Sequence, residues 1–114
     1  MVFLMAKYGA LDDVLVALAD PTRRAVIRSL GAGPASVSQL AKSFPITLPS
    51  FMKHVHMLES SGLIETRKSG RVRTCTLNRD RLLLLDNWLD EQRALWEQRT
   101  DRLERLVTDH QENR

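Results

Sequence analysis

The sequence is poor in cysteine and in long apolar runs. Its 114 residues include one cysteine, Cys75, and three histidines, which excludes an internal disulfide and leaves too few ligands for a preformed zinc or iron site. No apolar run is long enough to span a membrane, and residues 1–6, which are mostly apolar, lack a basic segment before them and end at Lys7. We therefore predict a cytoplasmic protein with no membrane span, no cleaved signal and no cofactor.

Glycine is also scarce, and the five glycines stand apart from one another rather than in a phosphate-binding loop. The sequence shows neither a nucleophile motif with its base nor a pair of carboxylates suited to a catalytic cleft. Nothing in it therefore favours an enzyme. With 43% hydrophobic and 27% charged residues, the composition is typical of one compact domain, and we assign residues 1–114 to it.

The charge is distributed unevenly along the chain. Residues 1–81 contain twelve Lys or Arg and six Asp or Glu, a net charge of +6, whereas residues 82–114 contain five and eight, a net charge of −3. Lys and Arg release counterions when they bind phosphates, so a basic body is suited to binding nucleic acid. Because basic solvated surfaces are common, the charge alone does not indicate nucleic-acid binding. The order of the structural elements is needed as further evidence.

Apolar spacing and capping residues predict two helices at the start of the chain. Apolar residues recur at i, i+3, i+4, i+7 and i+8 over residues 11–19, which indicates an amphipathic first helix. Asp20 is placed to act as the N-cap of a second helix, with Pro21 at its first position. Glycines at 31 and 33 then end this second helix.

A third and a fourth helix follow with a short break between them. The run Ser36-Val37-Ser38-Gln39 has the spacing of a capping box, and an apolar stripe continues from there to Phe44, just before Pro45. Thr47 can cap the fourth helix, residues 47–61, whose Phe51, Val55 and Leu58 share one face. Two helices joined by so short a break must cross at a large angle.

The second half of the chain predicts a hairpin and one long helix. Residues 63–67 and 71–77 favour strands around a Ser69-Gly70 turn. An amphipathic pattern without Gly or Pro then covers residues 79–110. The predicted fold is mainly α with a small β-hairpin (α+β). It is a winged helix-turn-helix with its core at residues 11–77 and a dimerisation helix at 79–110.

The outer face of the fourth helix is suited to the major groove of DNA. A helical wheel places Pro49, Lys53 and His56 opposite Phe51, with Ser50 beside them and His54 near the buried edge. Lysine can meet guanine, Ser or His can donate or accept a hydrogen bond, and Pro or the methyl group of Thr47 can rest on a thymine methyl. A plain solvated helix face is the alternative interpretation of the same pattern.

Basic residues surround the hairpin turn. Arg67, Lys68, Arg71 and Arg73 would create a positive field that a phosphate backbone or a narrow minor groove could neutralise. Basic residues also protect an exposed edge strand from pairing with other chains, so this pattern alone leaves both roles open. At the start of the third helix, Ser36 and Ser38 are suited to holding a phosphate, or they serve only as caps.

Four segments of the sequence form a recognisable combination of motifs: Ala17-Leu18-Ala19-Asp20-Pro21-Thr22-Arg23-Arg24, Leu48-Pro49-Ser50-Phe51-Met52-Lys53-His54, Leu58-Glu59-x-x-Gly62-Leu63-Ile64 and Gly70-Arg71-x-Arg73. Together they resemble the ArsR-type family of small bacterial winged-helix repressors. The resemblance spans residues 11–106 and implies a homodimer that binds an inverted repeat in double-stranded DNA. By matching positions, it implies recognition through Pro49, Ser50, Lys53 and His54, and wing contacts through Lys68 and Arg71.

The resemblance also implies that the first and last helices form the dimer interface. The apolar run at residues 82–85, together with two tryptophans, is too extensive for one side of a small monomer and favours the same conclusion. The alternative is that both tryptophans pack within their own subunit. The residues that we assign to the interface are Leu11, Leu15, Leu85, Trp88, Leu89, Trp96, Leu103 and Leu106.

The sequence departs from the metal-sensing branches of that family. Their Cys-x-Cys type motif would fall in residues 37–42, which contain no thiol. The tail carries Asp101, Glu104, Asp109 and His110 but lacks the second histidine of the zinc-binding pattern. We therefore predict no metal, and any small-molecule inducer is unknown.

Two further hypotheses use the same fold. A winged domain can serve as a protein-interaction module or dimer scaffold, with its basic wing binding an acidic partner. A thiol sensor would use Cys75, whose pKa nearby arginines could lower. Because Cys75 shares a strand face with Leu77, we expect it instead to fill the core beneath the wing.

Overall fold

The computed structural model describes the backbone of residues 2–112 and the side chains of residues 9–108. Within these residues, five helices and one three-stranded antiparallel sheet follow the order of a winged helix-turn-helix, mainly α with a small sheet, as the sequence predicts. The elements are α1 (Val2–Leu18), α2 (Pro21–Leu30), β1 (Ala35–Ser36), α3 (Val37–Ala41), α4 (Leu48–Ser60), β2 (Ile64–Ser69), β3 (Val72–Leu77) and α5 (Arg79–Glu112).

The three predicted N-caps are confirmed. The Asp20 carboxylate accepts a hydrogen bond from the Arg23 backbone N–H at 3.0 Å and so begins α2. Ser36 and Gln39 form the reciprocal capping box of α3, with distances of 3.0 and 3.1 Å. The Thr47 hydroxyl accepts from the Ser50 backbone N–H at 3.4 Å at the start of α4. Each cap satisfies a backbone donor that a helix end otherwise leaves unpaired.

The core lies between the inner face of α4 and the other elements. Phe51, Val55 and Leu58 are fully buried, as their spacing predicts. Cys75 is also fully buried, which confirms that it packs as a core side chain beneath the wing. The other members of this buried cluster are Val14, Ala17, Val26, Leu30, Val37, Leu40, Leu63 and Ile64.

The structure differs from the sequence prediction around α3. The helix ends at Ala41 rather than near Phe44, because Ser43 and Phe44 donate their N–H groups three residues back and form tight turns. Phe44 still reaches the core, where its ring stacks on Phe51 with centroids 5.3 Å apart. The two residues of β1, which pair with Cys75 and Thr74 of β3, are too few to give an alternating pattern in the sequence.

The loop of the hairpin and the start of the first helix also differ from the sequence prediction. Ser69 pairs with Val72, so the two-residue loop is Gly70-Arg71 rather than Ser69-Gly70. Gly70 has φ of 61°, which suits the first central position of a type II′ hairpin turn. At the other end of the chain, α1 begins at Val2 rather than near residue 11.

Helix α5 starts against the core and then leaves it. Its first residues pack on α1, and Leu82 contacts the core cluster. From residue 86 to residue 108, every side chain is exposed within the protomer. More than half of the helix therefore lies clear of the winged domain as an exposed rod.

Candidate DNA interface

The outer face of α4 is exposed from its first turn. All of residues 45–50 are exposed, including Thr47, Pro49 and Ser50. One turn further on, Lys53 and His56 are exposed as well. Because the opposite face carries the buried Phe51, these side chains form one polar surface that a DNA groove could receive.

His54 is placed differently from the other predicted recognition residues. Its side chain retains 23% exposure, and Nδ1 lies 3.2 Å from the Arg23 guanidinium and 3.7 Å from the Asp20 carboxylate. A guanidinium nitrogen can only donate, so Nδ1 is the acceptor in this contact. The ring is thus held against the corner between α1 and α2.

The wing presents three exposed cations. Arg67, Lys68 and Arg71 are all exposed at or near the loop. Arg67 and Lys68 are consecutive on β2 and therefore point to opposite faces of the hairpin. The wing can thus meet a phosphate backbone from either side of its ribbon.

Arg73 is tied down, unlike the other basic residues of the wing. It is half-buried and donates to the Thr66 hydroxyl at 3.0 Å, and that hydroxyl donates to the Glu59 carboxylate at 3.2 Å. Glu59 belongs to α4, so this chain of hydrogen bonds joins the wing to that helix. The prediction counted Arg73 among free cations because the sequence does not show that β2 brings Glu59 and Arg73 together.

The two serines at the start of α3 differ in availability. Ser36 is half-buried and its hydroxyl is used in the capping box, whereas Ser38 is exposed. Of these two side chains, Ser38 is the better placed for a phosphate.

The sequence analysis missed four arginines that bind the ends of helices. Arg23 and Arg24 donate to main-chain oxygens at the end of α1, Arg79 to the Gly31 oxygen after α2, and Arg81 to the Ser61 oxygen after α4. Cations are favourable at helix C-termini because the last carbonyls carry partial negative charge. In the sequence, this role is indicated by the position of each arginine near a helix boundary. Part of the basic charge of residues 1–81 is therefore used inside the fold.

Most of the predicted dimer residues are exposed, but Leu11 is not. Leu11 is 8% exposed within the protomer, because it faces inward on α1. Leu85 is half-buried where α5 begins. The remaining side chains are exposed by 37–71% and leave apolar surface open on α1 and α5: Leu15, Trp88, Leu89, Trp96, Leu103 and Leu106.

Two groups of the fold have shifted pKa values. The Arg23 backbone N–H holds the pKa of Asp20 below its ordinary value, and the charge of the Arg23 guanidinium acts in the same direction while desolvation opposes both. Burial raises the pKa of the Cys75 thiol, with a further contribution from Glu59. A buried thiol with a raised pKa is a poor nucleophile, which disfavours the thiol-sensor hypothesis.

The described part of the chain contains neither a candidate metal site nor a candidate membrane helix. Among the residues that the structure describes, no three His, Cys, Asp or Glu side chains are grouped to hold a metal ion. The side chains of Asp109 and His110 lie outside that part of the chain. None of its described helices is long and apolar enough to cross a membrane.

Known proteins resemble this chain over most of its length. The family described as "Helix-turn-helix domain" matches residues 18–67. A solved ArsR family transcriptional regulator is 56% identical to this chain, with a TM-score of 0.76. The match covers 77% of this chain and 97% of the chain of that regulator. The HTH-type transcriptional regulator Rv2034 of Mycobacterium tuberculosis (strain ATCC 25618 / H37Rv) is 35% identical over 86 residues, which are 75% of this chain and 80% of that protein. This chain belongs to the ArsR family.

Another solved structure shows the fold of this ArsR family member over a longer range. The ArsR-like transcriptional regulator from Rhodococcus sp. RHA1 covers 89% of the chain and 95% of its own, with 29% identity and a TM-score of 0.76. The family resemblance inferred from the sequence motifs is therefore confirmed, and so is the winged-helix fold.

Proposed function

We propose that this ArsR family member is a homodimeric repressor that binds an inverted-repeat operator in double-stranded DNA. The observation that carries the proposal is the exposed polar face of α4 beside a wing with three exposed cations, on one small domain. In the proposed complex, α4 enters the major groove and the wing, residues 67–73, contacts flanking phosphates. The relatives support repression, since one of them is the transcriptional repressor SdpR of Bacillus subtilis (strain 168), 29% identical over 69% of this chain and 88% of that protein.

The DNA contacts divide by chemistry. Pro49, Ser50, Lys53 and His56 are proposed to face base edges because they are exposed on α4, and Thr47 is proposed to join them from its exposed position at the N-cap. Arg67, Lys68, Arg71 and Ser38 are proposed to bind phosphates, which fixes the register without reading sequence. Ser36, His54 and Arg73 have their polar groups engaged within the fold, so they are proposed to act by supporting these contacts.

The second copy is proposed to cover the apolar surface of α1 and α5. Exposed apolar side chains recur along α5 from Trp88 to Leu106, and Leu15 of α1 is exposed as well. An exposed apolar stripe of this length on a small protein is typical of a subunit interface. The winged-helix domain Mb0332 from Mycobacterium bovis, which has the same fold at 24% identity and a TM-score of 0.63, is described as homodimeric. Residues 11–77 would then bind DNA and residues 79–110 would join the subunits. In this arrangement an inducer of unknown chemistry would change the separation of the two α4 helices.

Fluorescence anisotropy with the DNA upstream of the chain's own coding sequence tests the proposal against a scrambled duplex. Selective binding at near-physiological salt, with two chains per duplex, is expected. Lys53→Ala should cost ~1–3 kcal/mol and relax the preference at one base pair, whereas Arg71→Ala should weaken binding to both duplexes and reduce the salt slope by about one. Equal, weak binding of both duplexes would instead favour a protein-interaction scaffold.

A further inference from the structure

Helix α4 is attached to the two proposed dimer helices at two separate points. The first attachment is Arg23, whose guanidinium makes three hydrogen bonds in different directions. Its Nε donates to the Ala17 oxygen at 2.6 Å and one terminal nitrogen donates to the Val16 oxygen at 3.1 Å. The other terminal nitrogen donates to His54 Nδ1 at 3.2 Å. One side chain thus joins the C-terminus of α1 to the middle of α4.

The second attachment is Arg81, in the first turn of α5. Its Nε donates to the Ser61 oxygen at 3.0 Å, directly after the last residue of α4. The next residue, Gly62, has φ of 81°, and a Cβ built on it would lie 2.5 Å from Arg81 Nε. The Arg81 guanidinium therefore lies in the space that a side chain at position 62 would enter.

The two attachments together determine how α4 is tilted. His54 and Ser61 are seven residues apart, about 10 Å along a helix. A rod held at two points cannot tilt unless one attachment moves, and here one point is fixed to α1 and the other to α5. A shift of α1 against α5 would accordingly be transmitted to the face of α4 that carries Lys53.

We propose that Arg23, through His54, and Arg81 are positioning residues that set the angle at which α4 meets DNA and couple it to the dimer helices. This inference rests on the proposed DNA-binding function. Neither guanidinium needs to touch DNA for this role, since both are engaged with main-chain oxygens. His54, which the sequence comparison placed among the recognition residues, is here the acceptor through which Arg23 holds α4.

The test compares Arg23→Gln and Arg81→Gln with matched controls in the full-length protein. The controls Arg24→Gln and Arg79→Gln remove the same charge and also release a main-chain oxygen. In the described part of the chain, however, Arg24 bonds to the end of α1 and Arg79 to the end of α2, and neither bonds to α4. Binding is measured with the duplex from upstream of the chain's own coding sequence and with its scrambled version, over a range of salt concentrations.

Positioning predicts a loss of selectivity without a loss of phosphate contacts. Arg23→Gln and Arg81→Gln should weaken binding to the upstream duplex about tenfold, which corresponds to one charge-assisted hydrogen bond. Binding to the scrambled duplex and the salt slope should stay as in the two controls. A double variant with His54→Ala should lose no more than Arg23→Gln alone, because both changes break the same attachment. Additive losses would contradict the assignment of His54 as the acceptor.

Other outcomes separate the inference from the proposed function. If both duplexes weaken equally and the salt slope falls by about one for each arginine, then the arginines bind phosphate directly and the inference is wrong. If the unchanged protein prefers the upstream duplex and all variants keep that preference, the positioning inference is wrong while the proposed function stands. If the unchanged protein is not selective, the proposed function fails first. Should Arg23→Gln fail to fold, His54→Ala and Gly62→Ala carry the same test, because each breaks one attachment and leaves both arginines in place.

Discussion

Gly62→Ala is a stringent test of the contact between α4 and α5. Gly62 has φ of 81°, and an L-residue in this left-handed region costs about 1–2 kcal/mol. The added Cβ would also lie 2.5 Å from Arg81 Nε, so the guanidinium must leave the Ser61 oxygen. Loss of that charge-assisted hydrogen bond adds about 1.5 kcal/mol. We therefore expect Gly62→Ala to lower the free energy of unfolding by about 3 kcal/mol.

Equilibrium unfolding in urea at a fixed chain concentration measures this change, because dimerisation makes stability depend on concentration. Gly70→Ala is the matched control. It has positive φ of 61°, but a Cβ there meets nothing within 4 Å, so only the backbone cost of about 1–2 kcal/mol is expected. In an Arg81→Ala background, Gly62→Ala should also cost only that amount. Equal costs at the two glycines, or an unchanged cost without Arg81, would refute the reasoning.

Three further predictions concern single side chains. Asp20→Asn keeps an N-cap but removes a carboxyl whose pKa is lowered by folding. The unchanged protein should therefore be more stable than the variant at neutral pH, and this advantage should disappear as pH falls through the native pKa of Asp20. Urea unfolding at pH 7 and in acid measures the difference in stability, and a difference that does not change with pH would contradict the prediction. Ser36→Ala should cost about 1 kcal/mol by breaking the capping box, whereas Ser38→Ala on the same short helix should leave the midpoint of unfolding nearly unchanged. Cys75 of the native protein should react with iodoacetamide at least about 100-fold more slowly than Cys75 of the protein unfolded in urea, because alkylation requires opening of the core. Complete labelling of the native protein within minutes would show instead that the thiol is accessible.

The elements that the sequence predicted well are those with local signals. The N-caps at Asp20, Ser36 and Thr47 involve residues three apart, and the inner face of α4 follows from helical spacing. These features are encoded within a few neighbouring positions. The exposed face of α4 and the presence of the hairpin followed from the same local patterns, although the hairpin loop is shifted by one residue.

The features that the sequence did not predict depend on residues far apart in the chain. Arg23 meets His54 over 31 positions, and Arg81 meets Ser61 over 20. Charge counting treated both arginines as free cations because nothing local shows which carbonyl they reach. The same holds for Arg73, whose partners on β2 and α4 are adjacent only after the hairpin has formed. Helical spacing finds the apolar stripe of α1 but does not separate its buried edge, where Leu11 lies, from its exposed edge.

The exposed rod of α5 has a consequence for gene control. Its side chains from residue 86 to residue 108 are exposed within the protomer, so in the proposed homodimer the burial of the apolar ones depends on meeting a second copy. When the chain is scarce, the amount of dimer varies with the square of chain concentration, and halving the chain lowers the dimer about fourfold. Repression by such a protein would therefore be released sharply as cells grow and dilute it, even without an inducer.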